Sequence, residues 1–217
     1  MIHLDVLPPS QLTLWNGALR GLPAGWVLYG GTAIALHLGH RQSVDFDFFS
    51  DEPLDRAALR RACPPLARAK TLQDAPDTLT VVAEEAGEPV KLSFFGGIDF
   101  GRVGDPERTE GHPPIASRLD LLATKLATLT QRIESRDYID IAALLTAGLT
   151  INQGVAAMLA LYGVQVSGMQ SVKTLTWFRD GGLEQSLPTE VKEILREAAL
   201  AFRPETTSLP RRSNRLS

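Results

Sequence analysis

Residues 29–50 read YGGTAIALHLGHRQSVDFDFFS. The preceding apolar run, GWVLY, ends in two glycines and predicts a strand that runs into a tight turn. Thr32 then reads as a helix cap, Ala, Ile and Leu as helix interior and Gly39 as the stop, which gives a helix of about two turns. SVDFDFFS follows as a second strand. Side chains alternate faces along a strand, so Val44, Phe46 and Phe48 share one side while Asp45 and Asp47 share the other. Aspartate is depleted in strands. Two on one face are either the wet side of an amphipathic strand or a built carboxylate pair. They are spaced about 6–7 Å apart along the chain, from which both can converge on one divalent ion or a pair of ions. Mg²⁺ is the natural candidate, because a hard cation held by few protein carboxylates keeps positions open for water and substrate phosphate.

The turn before this strand bears on the choice. Gly30 and Gly31 allow a backbone to approach a ligand closely, and Thr32 heads a helix whose free N–H groups favour anions. A Gly-Gly-Thr turn alone is ordinary. A phosphate-holding turn followed about fourteen residues later by paired carboxylates is more specific, since one part suits a triphosphate and the other its metal.

The rest of the chain divides in two. Ser10 reads as the cap of a first helix over SQLTLWNGALRGL. A proline-bounded Ala/Leu helix lies in DEPLDRAALRRACPPL, and DTLTVVAEEAGEPVKLSFFG reads as two strands turning at Gly87. This order predicts an α+β fold, a small mixed sheet with flanking helices over residues 1–112, followed by a helical bundle over 113–203 packed on it. The segment 204–217 is expected to be a disordered tail. With 44% hydrophobic and 22% charged residues and a net charge of −3, the chain is an ordinary globular protein without a global basic field for nucleic acid or membrane. The single cysteine, Cys63, excludes an intramolecular disulfide and reads as a packing residue. MIHLDVLPPSQ lacks the pattern of a signal peptide, and no apolar run approaches the ~20 residues of a membrane span. The expectation is a cytoplasmic protein with no membrane partner.

The helical half holds a second set of candidates. Leu119, Leu122, Ala123, Leu126, Leu129 and Ile133 form an apolar stripe at helical spacing, bordered by Arg118, Lys125 and Arg132 at intervals of seven. Such a row either covers the core edge with aliphatic stems or aims charge at a ligand. In the next helix Asp137 and Asp140 share a face with Ile141 and Leu144. An enclosed carboxylate requires a partner; Arg136 at i+4 from Asp140, Lys125, or a metal would each serve.

GGTAIALHLGHRQSVDFDFF together with DLLATKLATLTQRIESRDYIDIAALL resembles the AbiEii/AbiGii toxin-type nucleotidyltransferase family, a branch of the polymerase-β-like nucleotidyltransferase superfamily. The matching positions are Gly30, Gly31 and Thr32, then Arg41, Ser43, Asp45 and Asp47, then Lys125, then Asp137 and Asp140. The resemblance runs from about residue 20 to about 180. It implies transfer of a nucleoside monophosphate from an NTP to an acceptor, with Asp45 and Asp47 holding Mg²⁺. Gly30, Gly31, Thr32, Arg41 and Ser43 would form the nucleotide-binding set, and Lys125 would neutralise the triphosphate. Asp137 or Asp140 would orient Lys125, bind metal or draw a proton from the acceptor. It also implies the toxin-like part of a toxin–antitoxin pair, with an antitoxin protein as partner and tRNA, a protein or a small molecule as acceptor. One departure stands out: the superfamily brings a third carboxylate from a later strand, and neither face of VKLSFF carries an acid. Either an aspartate of the helical half replaces it, or the protein is a non-catalytic nucleotide-binding or protein-interaction module derived from that fold. A metal-dependent sugar transferase using Asp-Phe-Asp is a third reading, but it leaves Gly-Gly-Thr without a role.

Overall fold

The computed structural model describes residues 2–204 and 208–217. They form two compact units. The first runs up to Gly101 and includes Asp105–Ser117 and Ser213–Ser217; the second contains Arg102–Gly104 and Arg118–Arg212.

The first unit is built on a five-stranded mixed sheet. Helix α1 (Pro9–Asn16) leads to β1 (Val27–Tyr29), α2 (Gly30–Leu38) and β2 (Asp45–Phe49). Then come α3 (Arg56–Ala62), α4 (Pro65–Arg68), β3 (Lys70–Ala75), β4 (Thr78–Glu85) and β5 (Glu88–Phe95). The strand order is β1-β2-β5-β4-β3, with β2 and β5 parallel and every other neighbouring pair antiparallel. Ala86 (φ 53°) and Gly87 (φ 81°) both take the left-handed backbone that a two-residue β4–β5 hairpin requires.

One face of the sheet carries the core. Phe46 pairs in register with Leu92, and Phe48 with Phe94. Phe46 stacks on Phe48 at 6.0 Å, Phe48 on Phe94 at 5.4 Å, and Trp15 of α1 on Phe46 at 6.0 Å. All four aromatic side chains are buried, each contributing roughly 150–250 Å² of apolar surface. This packing fixes the register, because a slip of one residue would bring Asp45 and Asp47 into the core. Cys63 is fully buried and its thiol is pushed up to about 11 by burial, which suits a packing residue.

Several boundaries differ from the sequence expectation. Strand β2 begins at Asp45, so Val44 lies outside it and is 50% exposed. Helix α2 begins at Gly30, which makes Thr32 its third residue rather than its cap. Helix α1 starts at Pro9, a residue whose fixed φ and missing N–H suit a first position, so Ser10 is not its cap. Strand β3 has no counterpart in the sequence reading. It is an edge strand of mostly exposed residues with a register shift between Thr71 and Gln73, and so lacks apolar alternation.

The second unit is helical: α5 (Arg118–Thr128), α6 (Ser135–Thr146), α7 (Ile151–Tyr162), α8 (Gly168–Leu175), α9 (Leu183–Ser186) and α10 (Thr189–Ala201). Gly154 of α7 lets α5 approach, since a Cβ there would stand 2.6 Å from Leu122 Cδ2. Thr150 and Gln153 form a reciprocal capping box at the start of α7. Helix α5 stops at Thr128, five residues before the expected end of its stripe, and Ile133 is 41% exposed. The threonines there return their hydroxyls to backbone carbonyls, Thr128 to Thr124 and Thr130 to Ala127. Helix α8 ends at Leu175, and beyond it Trp177 donates to Asp180 at 2.8 Å.

Of the segment expected as a disordered tail, residues 205–207 lie outside the described residues. Beyond them, Arg211 donates to the carbonyls of Ala160 and Leu161 at 2.7 Å, and Leu216 is buried with its N–H on an Asp51 carboxylate oxygen at 3.2 Å. Arg212 also donates its backbone N–H to the Arg102 carbonyl at 2.9 Å, and so few contacts leave no compositional signal. Among the described residues no single helix is long and apolar enough to cross a membrane.

Candidate active site

In the first unit the β1–α2 turn and β2 meet at the glycines. Gly30 has φ +71°, and a Cβ built on it would stand 2.5 Å from Asp47 Oδ2. The position therefore demands glycine twice over, for its backbone and for its space. The first-turn N–H groups of α2 have no intrahelical acceptor, and the residue before the helix, Tyr29, makes no side-chain cap hydrogen bond. Replacing Gly30 with alanine is expected to cost about 1–3 kcal/mol from the left-handed backbone and to displace the Asp47 carboxylate. Thermal unfolding and Mn²⁺ binding, measured on the same variant, check both effects.

Asp45 and Asp47 lie on the sheet face opposite the phenylalanine core, both of intermediate exposure. Their neighbours on β5 follow from the parallel register, Lys91 beside Asp45 and Ser93 beside Asp47. Lys91 Nζ lies 3.3 Å from Asp45 Oδ2, with side-chain exposures of 42% and 32%. Tyr29 is opposite Asp47 on the other flank and stacks on Phe49 at 4.7 Å, which walls one side of the carboxylate row with aromatic surface.

Thr32 and Ser43 are buried, and the Thr32 hydroxyl donates to Ser43 Oγ at 2.8 Å and reaches the carbonyl of Asp45. They tie the loop entering β2 to helix α2 and so set where Asp45 begins. Gly31 sits in the first turn of α2, where its backbone is the available contact. Arg41, half-buried, donates to the Gln42 carbonyl at 2.9 Å. His37 is packed, its ring nitrogens against the Ala116 carbonyl (2.8 Å) and a Glu107 carboxylate oxygen (3.2 Å).

The residues present fit a divalent ion that brings its own ligands. Two oxygen donors of hard character share one face, Gly30 leaves room beside them, and an ammonium already compensates one of them. Among the described residues no group of three or more His, Cys, Asp or Glu side chains forms a closed cage. Such an open set matches Mg²⁺, which is held by one or two carboxylates with phosphate oxygens completing the shell.

The second unit assembles the other candidates. Lys125 Nζ lies 2.5 Å from Asp137 Oδ1 and 2.8 Å from Asp140 Oδ2, and all three side chains are buried. Arg132 adds its Nε to Asp137 Oδ2 at 3.1 Å. Of the partners open to these carboxylates in the sequence, Lys125 is the one seen on both. Arg132 leaves the expected row because α5 has ended, and Arg136 is exposed. Helix α5 also carries Asp120, which the sequence reading passed over. Its carboxylate accepts from the N–H groups of Val103 and Gly104 at 2.8 and 3.1 Å. Tyr138, beside Asp137, has its hydroxyl pushed up to about 12 by burial and by that carboxylate.

A mixed sheet with a Gly-Gly turn, a paired-aspartate strand and flanking helices defines the nucleotidyltransferase fold, and solved structures agree. The chain is similar to a putative nucleotidyltransferase from Helicobacter pylori, at TM-score 0.57 and 19% identity, covering 87% of this chain and 91% of that one. It is similar to JHP933 from the same organism, at TM-score 0.56 and 19% identity, covering 87% and 88%. It also resembles MenT4, a nucleotidyltransferase toxin from Mycobacterium tuberculosis, at TM-score 0.57 and 13% identity, covering 91% and 86%. The family described as nucleotidyl transferase AbiEii toxin, type IV toxin–antitoxin system, matches residues 14–207, and the chain belongs to it. An uncharacterised protein of Aquifex aeolicus is 31% identical over 124 residues, or 56% of this chain; the match spans 58% of that protein's length.

Proposed function

We propose that the protein is a Mg²⁺-dependent nucleotidyltransferase, the toxin component of a toxin–antitoxin pair. The observation that carries this reading is the close approach of the Gly30 backbone to Asp47, with Asp45 on the same open face. In the reaction an acceptor oxygen attacks the α-phosphorus of an NTP in line. The bond to the bridging oxygen breaks, pyrophosphate leaves with the electron pair, and the proton of a hydroxyl acceptor passes to solvent. Asp45 and Asp47 would hold the metal ion, which would supply charge stabilisation at the reacting oxygens. The α2 N–H groups of Gly30, Gly31 and Thr32 suit phosphate oxygens. The Thr32–Ser43 contact holds the entry to β2 in place, and Arg41 offers a guanidinium to the same anion. In the second unit Lys125 is held between Asp137 and Asp140, whose two carboxylates share its ammonium.

A second reading, nucleotide binding without turnover, is favoured by one observation: β5 presents Lys91 and Ser93 to the aspartates and no acid. Incubating the protein with each α-labelled NTP, Mg²⁺ and total RNA, total protein or small-molecule acceptors separates the two. Label transferred to one acceptor class and abolished by EDTA supports the enzyme. Retention of nucleotide with no transfer to any class supports the binding module. Growth arrest on expression, relieved by a protein encoded next to the gene, tests the toxin role and its antitoxin partner.

A further inference from the structure

The cation beside Asp45 is a feature that the reading above does not use. Lys91 reaches Asp45 from the neighbouring parallel strand, at the register position from which a third carboxylate would face the same site. Resting on the assignment of Asp45 and Asp47 to the metal, we propose that Lys91 is a specificity-determining residue. Its ammonium charge disfavours a free divalent ion at Asp45 and favours a metal that arrives bound to a triphosphate, whose oxygens it then takes.

The charge balance supports this. Two carboxylates and one ammonium leave the face with a single net negative charge, whereas a third acid in place of Lys91 would leave three. A free divalent ion therefore meets weak attraction here and direct competition for Asp45. A metal–triphosphate complex is net anionic, and Lys91 attracts it instead of opposing it.

The pair is also of a strength that can be exchanged. With both side chains about a third or more exposed, such an ion pair contributes about 0–1 kcal/mol, so releasing Asp45 costs little. The other lysine pair of this protein has the opposite character, since Lys125 is buried between two buried carboxylates. Lys91 also sits on a strand pinned on both sides, in register with Asp45 on β2 and Val82 on β4. Its stem is thus fixed, while its four-carbon chain lets the ammonium move a few ångströms.

The test is Mn²⁺ binding, read from the electron paramagnetic resonance signal of the free ion, with and without inorganic tripolyphosphate as a base-independent probe. The wild type, Lys91→Met, Lys91→Arg and Asp47→Asn are compared after circular dichroism melts show each to be folded. Lys91→Met is expected to bind free Mn²⁺ about tenfold more tightly than the wild type and Mn²⁺–tripolyphosphate about tenfold more weakly. Lys91→Arg is expected to keep the wild-type order. Asp47-sensitive binding that Lys91→Met leaves unchanged, or shifts in one direction under both conditions, overturns the proposal alone. Binding that Asp47→Asn leaves untouched overturns the metal site itself, and the proposal with it.

Discussion

Asn in place of Asp45 or Asp47 is expected to lower Mg²⁺-dependent transfer of labelled nucleotide by roughly a thousandfold or more, with the fold retained. The substitutions keep the size of each side chain and remove the charge that anchors the metal. Both residues lie on the open face of β2, away from the phenylalanine core, so little packing is lost. The two variants are not predicted to behave alike in stability. Asp45→Asn leaves Lys91 without its ion-pair partner, a change of about 0–1 kcal/mol at this exposure, whereas Asp47→Asn meets the crowded space over Gly30. Equal transfer by wild type and both variants would remove these aspartates from the chemistry.

The second large effect concerns stability. Lys125→Met is expected to destabilise the helical unit by about 3–5 kcal/mol, because it strands Asp137 and Asp140 in a buried environment. Arg132 remains for Asp137 but is itself half exposed. Adding Asp140→Asn to Lys125→Met removes one of the two buried charges that Lys125 compensated and is expected to recover part of the loss. Denaturant unfolding of the three proteins measures this, and nucleotide transfer assayed on the same samples separates two roles. Stability that returns without activity assigns the ammonium to the reaction. Activity that returns with stability assigns Lys125 to architecture alone.

Legibility in the sequence varied from residue to residue for physical reasons. β2 and the turn before it were readable because alternation and a Gly-Gly pair are local signals. The glycine requirement at residue 30 follows from the same few residues that show it. Strand β3 was not readable, since an exposed edge strand needs no apolar periodicity and is held by pairing with β4. The end of α5 is not legible because the apolar stripe continues in sequence past Thr128 while the helix does not. Lys125 was noted as one of three basic residues in a row, but only the fold distinguishes it from Arg118 and Arg132 by burying it between two aspartates. Lys91 lies on β5 facing away from Leu92 and Phe94, as alternation along a strand requires. Its meeting with Asp45 depends on β2 and β5 being parallel neighbours, a long-range pairing that no local pattern encodes.

The most direct measurement is anomalous diffraction at the manganese edge from crystals soaked with Mn²⁺ and a non-hydrolysable NTP analogue. The prediction is a manganese peak within about 2.5 Å of carboxylate oxygens of both Asp45 and Asp47, with the triphosphate over the first turn of α2. Manganese and nucleotide bound elsewhere, with the face of Asp45 and Asp47 empty of both, would contradict it.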